Sequence, residues 1–150
     1  MSAVVIRRTT LLMIAILVSS FAGPSAAESA GDAPPLLNVL IIDGQNNHDH
    51  WPKTTMMMKQ YLEDSGRFSV DIMRTQFLWK GEQMLAQFPL DDGKNYQSLD
   101  KPKSDPDFAP EFGNYDVIVS NFGYNAASWP DATKARLETY MAGGGGLVVV

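Results

Sequence analysis

The sequence has no cysteine and only two histidines, His48 and His50. Without cysteine there is no disulfide framework and no thiolate nucleophile within these residues. Positive charge is also scarce: 12 Lys and Arg stand against 17 Asp and Glu, for a net charge of −5. No basic patch interleaved with aromatics is visible, and an acidic chain repels phosphate backbones, so nucleic acid is excluded as a partner. No apolar run approaches the roughly 20 residues that a spanning helix needs. What is present is a 45% hydrophobic chain of 150 residues, the composition of a globular protein and the length of about one domain.

The amino terminus has its own pattern. Arg7 and Arg8 precede the apolar run Leu11 to Val18, and the small residues Ser25, Ala26 and Ala27 follow. A basic start, a short apolar middle and small residues before the cut make a Sec-type secretory signal over 1–27, with cleavage expected after Ala27 and a periplasmic or secreted product. An uncleaved anchor is the alternative reading. Thr9 and Thr10 weaken a twin-arginine reading, because that signal has apolar residues there. Cleavage takes two arginines from the 12 Lys and Arg and none of the 17 acids, so the mature net charge becomes −7.

Residues 28–37 read as a linker and 38–150 as the domain. Asn38 to Asp43 is a short continuous apolar run, the pattern of a strand buried on both faces. Pro52 suits the first turn of a helix over Lys53 to Ser65, with Met57, Met58, Tyr61 and Leu62 on its apolar face and Gly66 ending it. Phe68 to Thr75 alternates as a second strand nearer an edge, and Trp79 to Phe88 allows a short helix. Pro89 to Phe112 has no period and is either a functional loop or a surface insertion. Tyr115 to Asn121 is the third strand. Ser128-Trp-Pro-Asp131 matches a capping box for a helix running to about Ala142, with Trp129, Thr133, Leu137, Tyr140 and Met141 on one side. Gly143 to Gly146 stops that helix, and Leu147 to Val150 opens a fourth strand. The alternation predicts an α/β fold with a parallel sheet and right-handed crossovers, truncated after about four strands. Ligands of such sheets bind beyond the carboxyl ends of the strands.

Two groups of residues lie at those ends. Asp43-Gly-Gln-Asn-Asn-His-Asp-His-Trp51 holds both histidines, two acids and three amides. Histidine suits proton transfer near neutral pH, and amides pair donors and acceptors with hydroxyl-rich ligands. A polar loop that merely closes a strand-to-helix turn has the same composition. The second group is Asn121-Phe-Gly-Tyr-Asn125, where Asn121 is expected to point into the crevice and Tyr124 to stack on a ring or donate a hydrogen bond. His48 and His50 could meet a metal with Asp43 or Asp49, but they lack the spacing of a zinc motif. Gly143 to Gly146 precedes a strand, whereas phosphate loops put their glycines at a helix amino end. No metal or cofactor is therefore expected. Met56, Met57 and Met58 point in different directions from a helix and read as packing.

Four segments taken together carry a resemblance. Val39-Leu-Ile-Ile-Asp-Gly-Gln-Asn-Asn-His-Asp49, Leu62-Glu-Asp-Ser-Gly-Arg-Phe-Ser-Val70, Tyr115-Asp-Val-Ile-Val-Ser-Asn121 and Gly143-Gly-Gly-Gly-Leu-Val-Val-Val150 resemble, in order, the ThuA-like (trehalose-utilisation) family. The resemblance implies a flavodoxin-like three-layer sheet related to the class I glutamine amidotransferases, in an amino-terminal part of such a domain. It implies a pocket containing His48 with Asn46, Asn47 and Asn121, and a histidine turn after Val150. The extra His50 and a long Phe77 to Phe112 insertion depart from the family pattern.

These readings give an exported protein that acts on or binds a carbohydrate or glycoside. His48 is the expected proton donor or acceptor, with Asp49 or Asp43 orienting it. Asp43, Gln45, Asn46, Asn47, His50, Asn121 and Tyr124 are expected to hold substrate. Glutaminase chemistry lacks its thiolate here. A non-catalytic module binding a sugar or a partner enzyme, or an inactive part of a longer protein, are the competing readings. The expected partner is a small sugar, without stable membrane insertion after cleavage, and a homodimer is left open.

Overall fold

The computed structural model describes residues 34–150. The expected signal peptide and residues 28–33 of the expected linker lie outside the described residues. Pro34 to Leu36 are exposed and without regular structure. The first strand, β1, covers Leu37–Gln45, followed by α1 (Trp51–Asp64), β2 (Phe68–Trp79), α2 (Glu82–Gln87), β3 (Gln97–Leu99), β4 (Val117–Ser120), α3 (Asp131–Ala142) and β5 (Gly146–Val149). The sheet is wholly parallel in the order β3-β2-β1-β4-β5. Setting aside the short β3, the remaining strands follow the order of flavodoxin-like sheets.

β1 is apolar without interruption because both of its faces are covered. Val39 and Ile41 pack with Val70 and Val119 beneath Met58 and Leu62 of α1. Leu40 and Ile42 pack on the opposite face with Ile118, Phe108 and Phe112, and Leu137 and Tyr140 of α3 close that layer. Helices thus lie on both faces, and the winding reverses between β1 and β4. In such sheets ligands bind at that reversal.

Several expectations need correction. The sheet has five strands, because Gln97–Leu99 pairs with Phe77–Trp79 inside the stretch read as irregular. β2 continues past Thr75 to Trp79, and its register against β1 breaks there. Asp43 pairs with Arg74, but Gln45 pairs with Trp79, so β2 bows outward. Gly44, at φ +129, sits in that break. A Cβ on it would stand 2.3 Å from the Thr75 hydroxyl. The stretch up to Phe112 is no mere surface insertion, since it delivers Phe108 and Phe112 to the core.

On α1, Met58 and Leu62 pack on the sheet as expected, and the buried side also takes in the first turn. Trp51 and Thr55 are buried, whereas Tyr61 is 64% exposed. No capping box forms at α3: Pro130 is the N-cap and no side chain caps it. Asp131 pairs with Lys134 at 2.7 Å instead of reaching back. Trp129 packs edge-on against Phe122, with ring centroids 5.1 Å apart, so aromatic packing fixes the entry of this helix. Met141 is exposed rather than packed.

Candidate functional site

The loops after β1 and β4 meet at the winding reversal, and asparagine side chains join them. Asn46, at the end of β1, is 6% exposed. Its Nδ2 donates to the backbone carbonyl of Asn121 at 3.2 Å and to Asn121 Oδ1 at 3.4 Å. Its Oδ1 accepts from the backbone N–H of His48 at 3.0 Å, an Asx turn that sets the path of the loop. Asn121, at the end of β4, donates from Nδ2 to the Trp51 carbonyl at 3.2 Å and to the hydroxyls of Thr54 and Thr55 at 3.2 and 2.9 Å. It therefore points into the first turn of α1 rather than into an open crevice. The two N–H bonds of this amide are shared among those three acceptors, and α1 is tied to the sheet.

Gly123 lies against the two loop asparagines. A Cβ at this position would stand 2.3 Å from Asn46 Oδ1 and 2.6 Å from Asn47 Oδ1. The backbone of the β4 loop can approach the β1 loop this closely only as glycine. Its N–H donates to the Gln45 carbonyl at 3.1 Å.

Gln45 is buried and fully occupied. Its Nε2 donates to the carbonyls of Phe77 and Lys103 at 3.0 and 2.6 Å, and its Oε1 accepts from the Ala127 N–H at 3.0 Å. One amide thereby holds together the end of β2, the segment before Asp105 and the loop before α3. Asp43 is likewise engaged. Both of its oxygens accept from Arg74, at 2.8 Å from Nε and 2.9 Å from Nη2. With its carboxylate so held inside the sheet, Asp43 does not orient the His48 imidazole, contrary to expectation.

The remaining loop residues are presented outward. His48, Asp49 and His50 are exposed and Asn47 is half-buried. Tyr124 is 78% exposed. Asp49 and His50 line a cavity of about 250 Å³ with Glu82, Gln83 and Met84 of α2. The structure thus separates the expected site residues into two sets: Asp43, Gln45, Asn46 and Asn121 are internal clamps, and Asn47, His48, Asp49, His50 and Tyr124 are reachable by a ligand. Among the described residues no group of three His, Cys, Asp or Glu side chains is placed to hold a metal ion.

Arg74 and Tyr96 escaped the sequence reading. Arg74 is 4% exposed, with its guanidinium 4.8 Å from the Trp51 ring and 5.8 Å from the Tyr96 ring. Tyr96 donates its hydroxyl to Asp92 at 2.6 Å. Burial, reinforced by that bond and by the Asp92 charge, pushes the Tyr96 phenol well above its ordinary value. An arginine inside the alternating run of β2 was the available signal, since a buried charge demands a partner, and Asp43 lies opposite it in register.

Comparison with known proteins agrees with this architecture. No family model matches the sequence, and no curated protein does. A solved structure, described as the crystal structure of a ThuA-like protein from Parabacteroides merdae, matches with a TM-score of 0.55 and 30% sequence identity, covering 77% of this chain and 32% of that one. The chain thus spans about a third of the length of the protein it matches. Five parallel strands between two helical layers, wound in this order, give the chain a ThuA-like α/β fold.

Proposed function

We propose that the crevice between the loops after β1 and β4 takes a carbohydrate or glycoside, and that His48 is its proton-transferring group. The carrying observation is that the asparagine and glutamine clamps hold the loop rigidly while His48, Asp49 and His50 stay exposed at the winding reversal. Ligands of doubly wound sheets bind at that place. Likeness to a ThuA-like protein supports the class of ligand, since the four segments named above resemble the trehalose-utilisation family. Asn47 and Tyr124 would meet substrate hydroxyls, and Asp49 would neighbour the imidazole. The test is His48→Ala in the intact protein, assayed on a panel of glucosides and oxidised disaccharides. A fall in turnover of about 100-fold or more is expected for a lost general acid or base, and unchanged turnover would sink the role.

A second reading, a sugar-binding module without catalysis, draws on the capture of Asp43 by Arg74. A general base is ordinarily oriented by a neighbouring acceptor, and that carboxylate is engaged elsewhere. Calorimetry separates the readings: saturable binding of a glucoside with no product after long incubation favours the binder.

Export belongs to the same proposal. It rests on the leader pattern of Arg7, Arg8, the run from Leu11 to Val18 and the small residues before Glu28. Sequencing the amino terminus of periplasmic material should read from Glu28. Retention of Met1 in the cytoplasm would overturn it.

A further inference from the structure

α2 has no buried residue, yet its root is fixed in place. Lys80 and Gly81 turn the chain from β2 into α2 with φ of +61° and +84°, left-handed values that a lysine adopts only at a cost. The Trp51 indole holds that turn. It is 1% exposed, and its Nε1 donates to the carbonyls of Trp79 and Lys80, each at 3.2 Å. A Cβ on Gly81 would stand 2.8 Å from the same Nε1 and 3.0 Å from the Pro52 ring, so only glycine lets the starts of α1 and α2 meet this closely.

His50 immediately precedes Trp51, and Glu82 immediately follows Gly81. The lock between Trp51 and Gly81 therefore sets the spacing of these two residues. Both line a cavity of about 250 Å³ with Asp49, Gln83 and Met84. That volume is below the roughly 300–1,000 Å³ of complete small-molecule sites, which suits one end of a ligand whose remainder lies along the β1 loop. The wall carries two carboxylates, an amide and an imidazole, and among the described residues no lysine or arginine lines it. An ionised carboxylate only accepts hydrogen bonds. Such a wall takes a hydroxyl, whereas a phosphate adds like charge against it and is repelled.

We infer that Glu82 of α2 is a ligand-contacting residue of the crevice, accepting a ligand hydroxyl beside His50 and selecting uncharged ligands over phosphorylated ones. Asp43, held by Arg74, has no free oxygen to offer the loop histidines, and α2 brings a carboxylate from the other side. The inference rests on the crevice reading proposed above, and its test tells the two apart. The intact protein and its Glu82→Ala and Glu82→Gln variants are titrated calorimetrically with methyl glucoside, maltose and glucose 6-phosphate, beside urea unfolding of each. Glu82 is exposed, so neither substitution enters the core.

The wild type is expected to bind a neutral sugar at least tenfold more tightly than glucose 6-phosphate. Glu82→Ala is expected to weaken the neutral sugar at least tenfold, and Glu82→Gln to narrow the margin over the phosphate at least threefold, both with an unchanged unfolding midpoint. A wild type that binds sugar, with variants that keep its affinity and its margin, overturns the inference and leaves the crevice reading standing. So does a loss of affinity that comes only with a matching loss of stability, or one without any narrowing of the margin. A wild type that binds none of the three ligands removes the crevice reading, and the role of Glu82 falls with it.

Discussion

Arg74 and Asp43 face each other in register on adjacent strands and form a two-pronged ion pair, with side chains 1% and 0% exposed. The pair takes up Asp43, one of the two acids of the histidine segment, and ties β2 to β1 where β2 bows outward. Removing one partner leaves the other charged and buried, which costs about 3–5 kcal/mol. Arg74→Met and Asp43→Leu are each expected to destabilise by that amount in urea unfolding. The double variant is expected to recover much of the loss, because two apolar side chains leave no orphaned charge. A double variant as unstable as the sum of the singles would show that the pair's geometry, rather than its charge, matters.

Gly123→Ala tests the contact between the two loops. Its new methyl would overlap Asn46 Oδ1 and Asn47 Oδ1, at 2.3 and 2.6 Å. The asparagines must move, and Asn46 then releases Asn121 and the His48 N–H. Overpacking of this kind costs about 1–3 kcal/mol. Faster hydrogen exchange at His48 is expected with it, and unaltered exchange would show that the loops are not joined through these side chains.

The alternation of strands and helices was legible because β1, β4 and α1 carry unbroken or periodic apolar residues. What the pattern missed follows from polar satisfaction. β2 was read as ending at Thr75, yet it runs on to Trp79: Asp43 pairs the buried Arg74, and Asp105 accepts from the backbone of Gln76. β3 has a single apolar residue, Leu99, too little for any period. The loop asparagines were identifiable as chemistry-bearing residues, but not as clamps, because their partners Thr55 and Gly123 are distant in sequence. The Ser128 to Asp131 motif misled because a local signal yielded to the packing of Trp129 on Phe122 and Phe108.

Tyr96 predicts the alkaline behaviour of the fold. Burial and the bond to Asp92 raise its pKa above the ordinary 10.0. Above pH 10 the unfolded chain therefore releases the phenolic proton while the folded chain keeps it, and stability falls as pH rises. Below that value both states hold the proton and the contribution is fully present. Tyr96→Phe is expected to flatten the alkaline limb of unfolding free energy against pH. An unchanged limb would assign the loss to other groups.

Asp92 governs the opposite end of the scale. Burial alone would raise its pKa, but the bonds from Tyr96 and Lys94 and the Lys94 charge outweigh it and hold the carboxyl below its ordinary 3.8. Its contribution is thus present above pH 3.8 and is lost as pH falls through the lower folded value. Asp92→Asn should leave stability near neutral pH slightly reduced and its acid dependence shallower. The measurement is urea unfolding repeated down the acid range.

His48 and Asn121 were both candidates for substrate contact, and their burial gives them opposite signatures. His48 is exposed, so His48→Ala is expected to change stability by no more than about 0.5 kcal/mol. Asn121 is 3% exposed and donates to Trp51, Thr54 and Thr55. Asn121→Ala leaves those acceptors without their donor and opens a small void, a loss of about 1–3 kcal/mol. Ligand titrations on both variants, made beside urea unfolding, separate a lost contact from a loosened loop. If Asn121→Ala weakens sugar binding only where it also lowers stability, and His48→Ala weakens it at full stability, then the imidazole meets the ligand and the amide only holds the loop that carries it.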